Sequence, residues 1–526
     1  FANTLTIKGQ SGDSSLVTLQ HANTATHLLF SLNNIKGITL KDMTFDNNSR
    51  SLGNESFFIT NCDSVNVTNC RFESYDPTIN NNYNYADKLK IENSIGCNIT
   101  NNDFSYSACI RLVASSNSIY NTVNITGNNN IRGATGIYIN SNTNGALGGK
   151  FIIKNNHING ASNPIYADCN SNNNDTLLIT GNSIDGGNGY NLFYCTDQDY
   201  VVVKENIFNN NNFIIAEYVD SIVGNQILNV GNKSAITINI GATFIANNYI
   251  HTKGQLESKA IYLSTSSSLS GTVIAHNSIE NSGTAGASSY GLYLAGDVSN
   301  ITVKNNIFST IGGGTPLFVA STLTNPNWDY NCYYTTGNSI ANFNNNNYNS
   351  VSALGAAMGS DANSLNVNPF YVSDTNLTVN QSQLQTATLL ASAPLDINGT
   401  SRTSPTTMGA KEFVFCSDDA GINSIVNPTE PLSSNTNNIE VLLSNQGSNP
   451  LTSVSIAWSV NGAVQTPFTW TGNLASKATV PVTIASNYTF SGASIYNLQT
   501  WVENPNGVTD CNAYNDTTQL DNLVVS

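Results

Sequence analysis

ITVKNNIFSTIGGGTPLFVAS, residues 301–321, reads as a short strand, an Asn pair, a second apolar step, a Gly-rich break and another strand. The same phrase returns upstream. Its first arm appears as GITLKDMTF (37–45), VNVTNCRF (65–72), CNITNNDF (97–104), VNITGNNNI (123–131), FIIKNNHI (151–158), LLITGNSI (177–184) and VVVKENIF (201–208), and again as SIVGNQIL, FIANNYI and TVIAHNSI. Counting back two residues from the closing Ile, Leu or Phe gives Met43, Cys70, Asn102, Asn129, Asn156, Asn182, Asn206, Asn225, Asn248, Asn277 and Asn306. The mean period is about 26 residues, inside the range of solenoids. Brief alternation, β-branched enrichment and a flanking turn signal make each arm a strand rather than a helix. Two or three such strands per period predict a coil of a parallel β-helix, with identical positions stacked at ~4.8 Å. An Asn at one corner of every coil can pair its amide with those above and below, and it tolerates a left-handed corner. The nine Asn anchors are therefore expected to form a structural ladder.

The second arm recurs as SFFIT, KLKIE, CIRLV, GIYIN, PIYAD, NLFYC, NFIIA, AITIN, AIYLS, GLYLA and PLFVA. The middle residue of an apolar-x-apolar triplet in a strand faces away from the core. An external column is thus expected, running Phe58, Lys90, Arg111, Tyr138, Tyr166, Phe193, Ile215, Thr237, Tyr262, Tyr293 and Phe318. Its aromatic members Tyr138, Tyr166, Phe193, Tyr262, Tyr293 and Phe318 could bind sugar rings or pack on another chain. The plainer alternative is that aromatic residues suit exposed strand positions and are covered by loops. Segments 81–87 and 141–150 read as such loops.

Composition narrows the function classes. Charged residues make up 10% of the 526, 86 residues are Asn, and the formal net charge is −15. A nucleic-acid backbone or an anionic membrane surface would be repelled. A polyanionic polysaccharide would need bridging cations. No apolar run approaches the ~18 residues that span a bilayer, so no membrane insertion is expected. The start at Phe1, with neither Met nor a signal peptide, suggests a mature or trimmed product. Nine cysteines without a C-x-x-C pair argue against a zinc ribbon. Cys416 and Cys511 bracket the last segment and are expected to form a disulfide, as in exported proteins, the alternative being two free buried thiols; the other seven are expected to be mostly small core residues.

The phrase weakens after residue 321. Residues 1–326 are therefore assigned to β-helix repeats, 327–415 to terminal coils and a cap over the last edge, and 416–526 to an Ig-like β-sandwich. In the last segment, NIEVLLSNQG and TSVSIAWSVNG alternate, Asn461-Gly462 is a hairpin signal, and Trp458, Trp470 and Trp501 are expected in the core. LDINGTSRTSPTTMGAKEF resembles the closing signature of bacterial surface β-helix proteins, a D-x-x-G-x-x-R element followed by Gly-Ala-x-Glu. The matching residues are Asp396, Gly399, Arg402, Gly409, Ala410 and Glu412, preceded by DANS (361–364) and NPFYV (368–372). CSDDAGINSIVNP, IAWSVNG, WTGNL and WVENPNGVTDCNAYND resemble the adhesion-type, CARDB-like Ig domains found beside such β-helices in type IX-exported proteins of Bacteroidota. The resemblance implies a secreted, extracellular or cell-surface location and usually a C-terminal sorting domain, which is not recognisable here. Its members include adhesins and enzymes, so activity does not follow from it.

Chemistry is sparse. A hydrolase needs two carboxylates flanking the scissile bond, and a lyase a base with a Ca²⁺-neutralised carboxylate. The densest acidic stretch is Asp168, Asp185, Asp197, Asp199, Glu205, Glu217 and Asp220. Lys90, Arg111 and Glu92 form a basic spot or a solvated surface pair. The five His lack metal-site spacing. Asp418, Asp419, Asp510 and Asp516 could converge to hold Ca²⁺ if the first and last strands of the sandwich pair, against ordinary turn capping. Asp-Ser/Thr sequons resembling Bacteroidota O-glycosylation sites occur at Ser64, Thr176, Ser221 and Thr517.

The expectation is an all-β chain, a right-handed parallel β-helix followed by an Ig-like sandwich. Its function would be that of a non-enzymatic surface adhesin or structural rod contacting glycans or other surface proteins, with no cofactor beyond possible Ca²⁺. The alternative is a carbohydrate-active lyase or hydrolase working in a β-helix groove.

Overall fold

The computed structural model describes residues 4–9, 18–20, 30–47, 57–74, 87–104, 109–113, 122–132, 135–140, 149–168, 175–185, 190–195, 199–241, 243–264, 269–284, 288–296, 298–320, 323–413, 416–432, 434–491 and 495–524. The expected loops at 81–86 and 141–148 lie outside these residues, as do Asp197 and Cys169.

The chain is almost entirely β, a parallel solenoid followed by a sandwich. Each coil visits three sides. Thirteen strands, from Thr4–Lys8 to Asn327–Asp329, stack into a first sheet in chain order. A second sheet of fourteen strands runs from Phe30–Asn33 to Asn346–Tyr348, parallel except for its last, antiparallel pair. The third side holds four short strands near the N-terminal end and eight from His157–Asn159 to Cys332–Thr335. Inward residues stack by register. Ile99, Ile125, Ile153, Ile179 and Val203 sit one above another, fully buried, each worth roughly 1.5–3 kcal/mol of burial. Phe45, Phe72 and Phe104 do the same inside the third side, with ring centroids 5.1 and 4.9 Å apart.

The Asn pair divides its labour between two residues. The first member, or a Gly, Asp, Glu or His in its place, turns the corner with positive φ: Asn69 (52°), Asn101 (54°), Gly127 (67°), Asn155 (52°), Gly181 (65°), Glu205 (57°), Asn247 (55°) and His276 (53°). The second turns inward and builds the ladder. Asn102, Asn128, Asn156, Asn182, Asn206, Asn225, Asn248, Asn277 and Asn306 each donate Nδ2 to the Oδ1 of the next rung at 2.9–3.1 Å, the last acceptor being Asn331. The expectation of one Asn serving both ends is thus corrected, because an αL backbone points its side chain outward while the following residue points in. Asn129 is corrected too. It is exposed, and Asn128 is the rung. An extra residue, Asn130 (φ 55°), bulges between the rung and Ile131, so counting back from Ile131 lands one position late.

The C-terminal end is closed in two ways. The helix Val351–Met358, capped by the Ser350 hydroxyl and by Gly359 in the left-handed conformation, sets Leu354 and Met358 against the end of the core. Asp361 and Ser364 of the DANS segment terminate the ladder at Asn331, whose N–H donates to Ser364 Oγ at 2.7 Å and whose amide donates to Asp361 at 3.2 Å. The following stretch, instead of hiding the last edge as expected, folds back along the outer face of the third side. Its Val379, Leu384, Met408 and Phe413 pack on Ile307 and Cys332, and Leu377 and Ala410 on Tyr249.

The closing signature is the clamp that holds this flank. Asp396 Oδ1 accepts from the N–H of Asn398 and of Thr400 at 2.9 Å, while Gly399 takes φ 78°. Gly409, at φ 92°, passes so close to the solenoid that a Cβ would lie 2.7 Å from Ser278 Oγ. Arg402, buried, donates to Glu412 Oε1 (2.7 Å), Asn247 Oδ1 (2.8 Å) and the carbonyls of Gly409 and Ala410 (3.0 and 3.1 Å).

Residues 420–524 form a sandwich of a three-stranded and a five-stranded antiparallel sheet. Asn461 and Gly462 both take positive φ (48° and 77°), the geometry of a tight primed hairpin turn. Trp458 is in the core and Trp470 packs at its margin. Trp501 is a correction: it lies on the outer face, its Nε1 donating to Glu503 at 2.8 Å, because its strand buries Tyr496, Leu498 and Val502 instead. Buried polar contacts join sandwich to flank: the Ser382 N–H and hydroxyl donate to Gln446 Oε1 (2.7 and 2.6 Å), and Asn515 donates to the Asn380 carbonyl at 3.2 Å.

Candidate contact surfaces

The external column of the second sheet begins with cations on aromatic faces. Lys90 stands over Phe58 at 4.8 Å, and its ammonium also lies 3.5 Å from Glu92. Arg111 lies over Tyr138 at 4.7 Å. Tyr138 stacks on Tyr166 in register, 4.9 Å apart with planes 5° off parallel. Burial, with Asp168 nearby, pushes the Tyr166 phenol up to about 12. Phe193 is a correction. It is buried, and register gives its place to Leu192. Asn191 turns inward there and donates to the Phe213 carbonyl at 3.1 Å, so Asn191, Phe193 and Cys195 are the inward set and Tyr194 points out. A polar residue facing the core disguised the alternation.

The column resumes as Tyr262, Tyr293 and Phe318. Tyr293 stacks on Phe318 at 4.6 Å. Lys259 Nζ lies 4.6 Å from the rings of both Tyr262 and Tyr293, and 2.6 Å from Glu257. All these rings are half-buried. Tyr138 with Tyr166 and Tyr293 with Phe318 stand face to face, whereas Tyr262 meets Tyr293 edge-on at 67°. Sugars stack on ring faces, and most of these are spent on neighbouring rings or cations.

The acidic stretch does not converge. Asp199 Oδ1 accepts from the Asp175 N–H at 2.9 Å and Asp220 Oδ2 from the Val201 N–H at 2.7 Å, both as corner bonds between coils. Asp185 accepts from Asn210 at 2.6 Å on the third side, and Glu217 from Asn239 at 3.1 Å. Glu205 is a left-handed corner paired with Lys204 at 3.0 Å. Asp168 lies on the second sheet, in register with Tyr194. Of the histidines, His276 is a buried corner whose Nε2 accepts from Asn305 Nδ2 at 2.9 Å, and His157 follows the ladder. Burial, then the Arg402 guanidinium, holds His276 well below its ordinary value.

In the sandwich, Cys416 and Cys511 are joined in a disulfide. Asp418 accepts from Asn506 at 2.7 Å and from Asn449, Asp510 from the Ala420 N–H at 3.0 Å, and Asp419 from Asn515 at 2.9 Å. Among the described residues, the group with donor atoms within 4.8 Å of one another is Cys416, Asp419 and Cys511, and both sulfurs are spent on each other. The sequons stand on the surface: Ser64, Thr176 and Ser221 half-buried at the starts of first-sheet strands, Thr517 exposed.

These sandwich acids carry a pH prediction. Burial pushes Asp419 and Asp516 up to about 7 each, with Asp510 reinforcing both, and Asp510 is itself raised by burial and then by Asp418. An unfolded Asp titrates near ~3.9, so between about 4 and 7 the folded sandwich holds more protons than the unfolded one. Stability is therefore greatest below that window, falls as pH rises through it, and levels off above about 7. Three of the four Trp lie in the sandwich, so urea midpoints followed by Trp fluorescence report it. Asp516→Asn should flatten the slope, and a midpoint that rises between pH 5 and 7 would contradict the assignment.

One surface escaped the sequence reading although its signal was present. The first arms TLTIK, GITLK, FIIK, VVVK and ITVK all end in Lys just before the corner. Lys8, Lys41, Lys154, Lys204 and Lys304 consequently share one outward row of the first sheet.

No family model matches the chain, and no curated protein matches it. Among solved structures it is similar to the CARDB domain of a Pyrococcus furiosus protein, crystallised in complex with di-metal ions, at 22% identity over 22% of this chain and 95% of the other, with a TM-score of 0.19.

Proposed function

We propose that this chain is a non-enzymatic module of an extracellular or cell-surface protein, a rigid rod that holds contact faces away from the Ig-like domain that joins it to neighbouring modules. Its contacts are with glycans or other surface proteins. The closing signature and the Ig-like segments support a bacterial, Bacteroidota-type, type IX-exported surface protein as the setting. The observation that carries the reading is the fate of the acids between Asp168 and Asp220: Asp185, Asp199, Glu205, Glu217 and Asp220 are tied to backbone N–H groups, amides or a lysine at separate corners and sides. A hydrolase needs two of them facing each other across a sugar.

The test is incubation of the purified chain with a panel of neutral and acidic polysaccharides, with and without Ca²⁺, scoring binding and newly formed chain ends separately. Binding without new ends is expected. New reducing or unsaturated ends would overturn the non-enzymatic reading.

A further inference from the structure

The outward residues of the first sheet carry six lysines, Lys8, Lys41, Lys150, Lys154, Lys204 and Lys304, against a single acid, Asp329. That acid is already engaged by the N–H and amide of Asn363 at 2.8 Å each. In a chain of net charge −15 this face is a local reversal of sign.

The reversal is linear. Lys8 and Lys41 are in-register neighbours; farther along the same row, Lys154 and Lys204 flank Thr180, and Lys304 follows. Thr68, Thr100 and Thr126 occupy the row between Lys41 and Lys154. At ~4.8 Å per strand step the row is on the order of 50 Å long, and Lys154 and Lys204 stand ~10 Å apart. Beside it lies a half-buried aliphatic floor, Ile152, Leu178 and Val202, with Tyr200 55% exposed at the far rim. Among the described residues Lys154 has no carboxylate within 4.0 Å, and the Lys204–Glu205 pair is about half exposed on both sides, so it is cheap to exchange.

A globular acidic partner covering three or four coils would meet at most three of these charges, Lys150, Lys154 and Lys204. A linear polyanion following the row from Lys8 to Lys204 meets four of its five lysines; beyond Lys204 the row passes Val223 and the fully buried Ala246 and Ala275 before Lys304. Nucleic acid places a phosphate every ~3.4 Å along a strand, far denser than the lysines. A polysaccharide with one carboxylate per disaccharide spaces its charge much as Lys154 and Lys204 do, offers C–H faces to the aliphatic floor and Tyr200, and offers hydroxyls to Thr180. We propose that the first-sheet face binds a linear acidic polysaccharide of the alternating uronate type along the lysine row. This rests on the reading of the chain as a contact rod, and it moves the glycan site from the aromatic column to the opposite chemistry on another side.

Hyaluronan, with one carboxylate per disaccharide, is the probe, with dextran and single-stranded DNA as comparators, measured on the full chain at 50 and 300 mM NaCl. Hyaluronan is expected to bind at low salt and to weaken about tenfold at the higher salt. Lys154→Glu with Lys204→Glu should lower affinity about tenfold or more with an unchanged circular dichroism spectrum, whereas exposed Lys233→Glu should not. No hyaluronan binding at low salt, or equal binding by the double variant, overturns the proposal. So does binding of DNA alone that is lost in the double variant, which would hand the row to nucleic acid. Binding of dextran alone would overturn it and leave the contact-rod reading standing. Hyaluronan that binds through the row and is cut would support the row and overturn the non-enzymatic reading.

Discussion

Asn206→Ala should cost the solenoid about 3–5 kcal/mol, since it orphans several buried polar groups at ~1–3 kcal/mol each. Its Nδ2 donates to the Ile179 carbonyl (2.8 Å), the Lys204 carbonyl (3.0 Å) and Asn225 Oδ1 (3.0 Å), and its Oδ1 accepts the N–H and Nδ2 of Asn182 at 2.9 Å. All but the part-buried contact with the Lys204 carbonyl are buried away from water, so those lost bonds are not replaced. Because each coil contacts mainly its neighbours, the damage is shared by the coils on both sides. Asn155, two coils earlier and one residue ahead of its own rung, is the control. It turns the corner at φ 52°. Asn155→Ala should cost only about 1 kcal/mol, and Asn155→Gly close to nothing. Urea unfolding followed by circular dichroism ranks the three variants, and an Asn206→Ala no worse than Asn155→Ala would refute the ladder's energetic role.

Arg402→Met should detach the flank from the solenoid at a cost of about 3–5 kcal/mol, because it leaves the Glu412 carboxylate, only 9% exposed, without its cation. The guanidinium also reaches Asn247 on the solenoid and two carbonyls of the clamp. Arg402→Lys would rescue little, since an ammonium cannot span that set. Hydrogen exchange gives the test: amides in 365–413 should lose protection while the ladder coils upstream of Asn225 keep theirs. Uniform loss along the chain, or none, would show that the clamp does not act locally.

The difference between these two sites marks how far the chain could be read before its structure was known. The ladder was visible because it repeats: a rung needs an Asn at one phase of every coil, and eight of the nine Asn anchors fall on it, with neighbouring rungs 19 to 29 residues apart. Asn129 failed where one inserted residue broke the phase, and Phe193 failed where a core-facing Asn191 broke the alternation; in both cases the neighbouring coils set the register. The clamp was visible only as a conserved-looking string resembling a closing signature. Nothing local says that Gly409 must pass Ser278 or that Arg402 must find Asn247, 155 residues earlier.

By itself the sequence determined the coil, its period, its strands and the sandwich with its Asn461-Gly462 hairpin, because alternation and turn chemistry act between residues a few positions apart. It also placed Lys at one phase of five first arms, though not which side of the coil that phase would line. Only the tertiary structure decided that five lysines form one row, that the aromatic column spends its faces on itself, that the flank covers the third side, and that the acids scatter. The physical reason is that stacking converts a phase in the sequence into a line in space, and which line faces water, a neighbour or the flank depends on contacts made between coils.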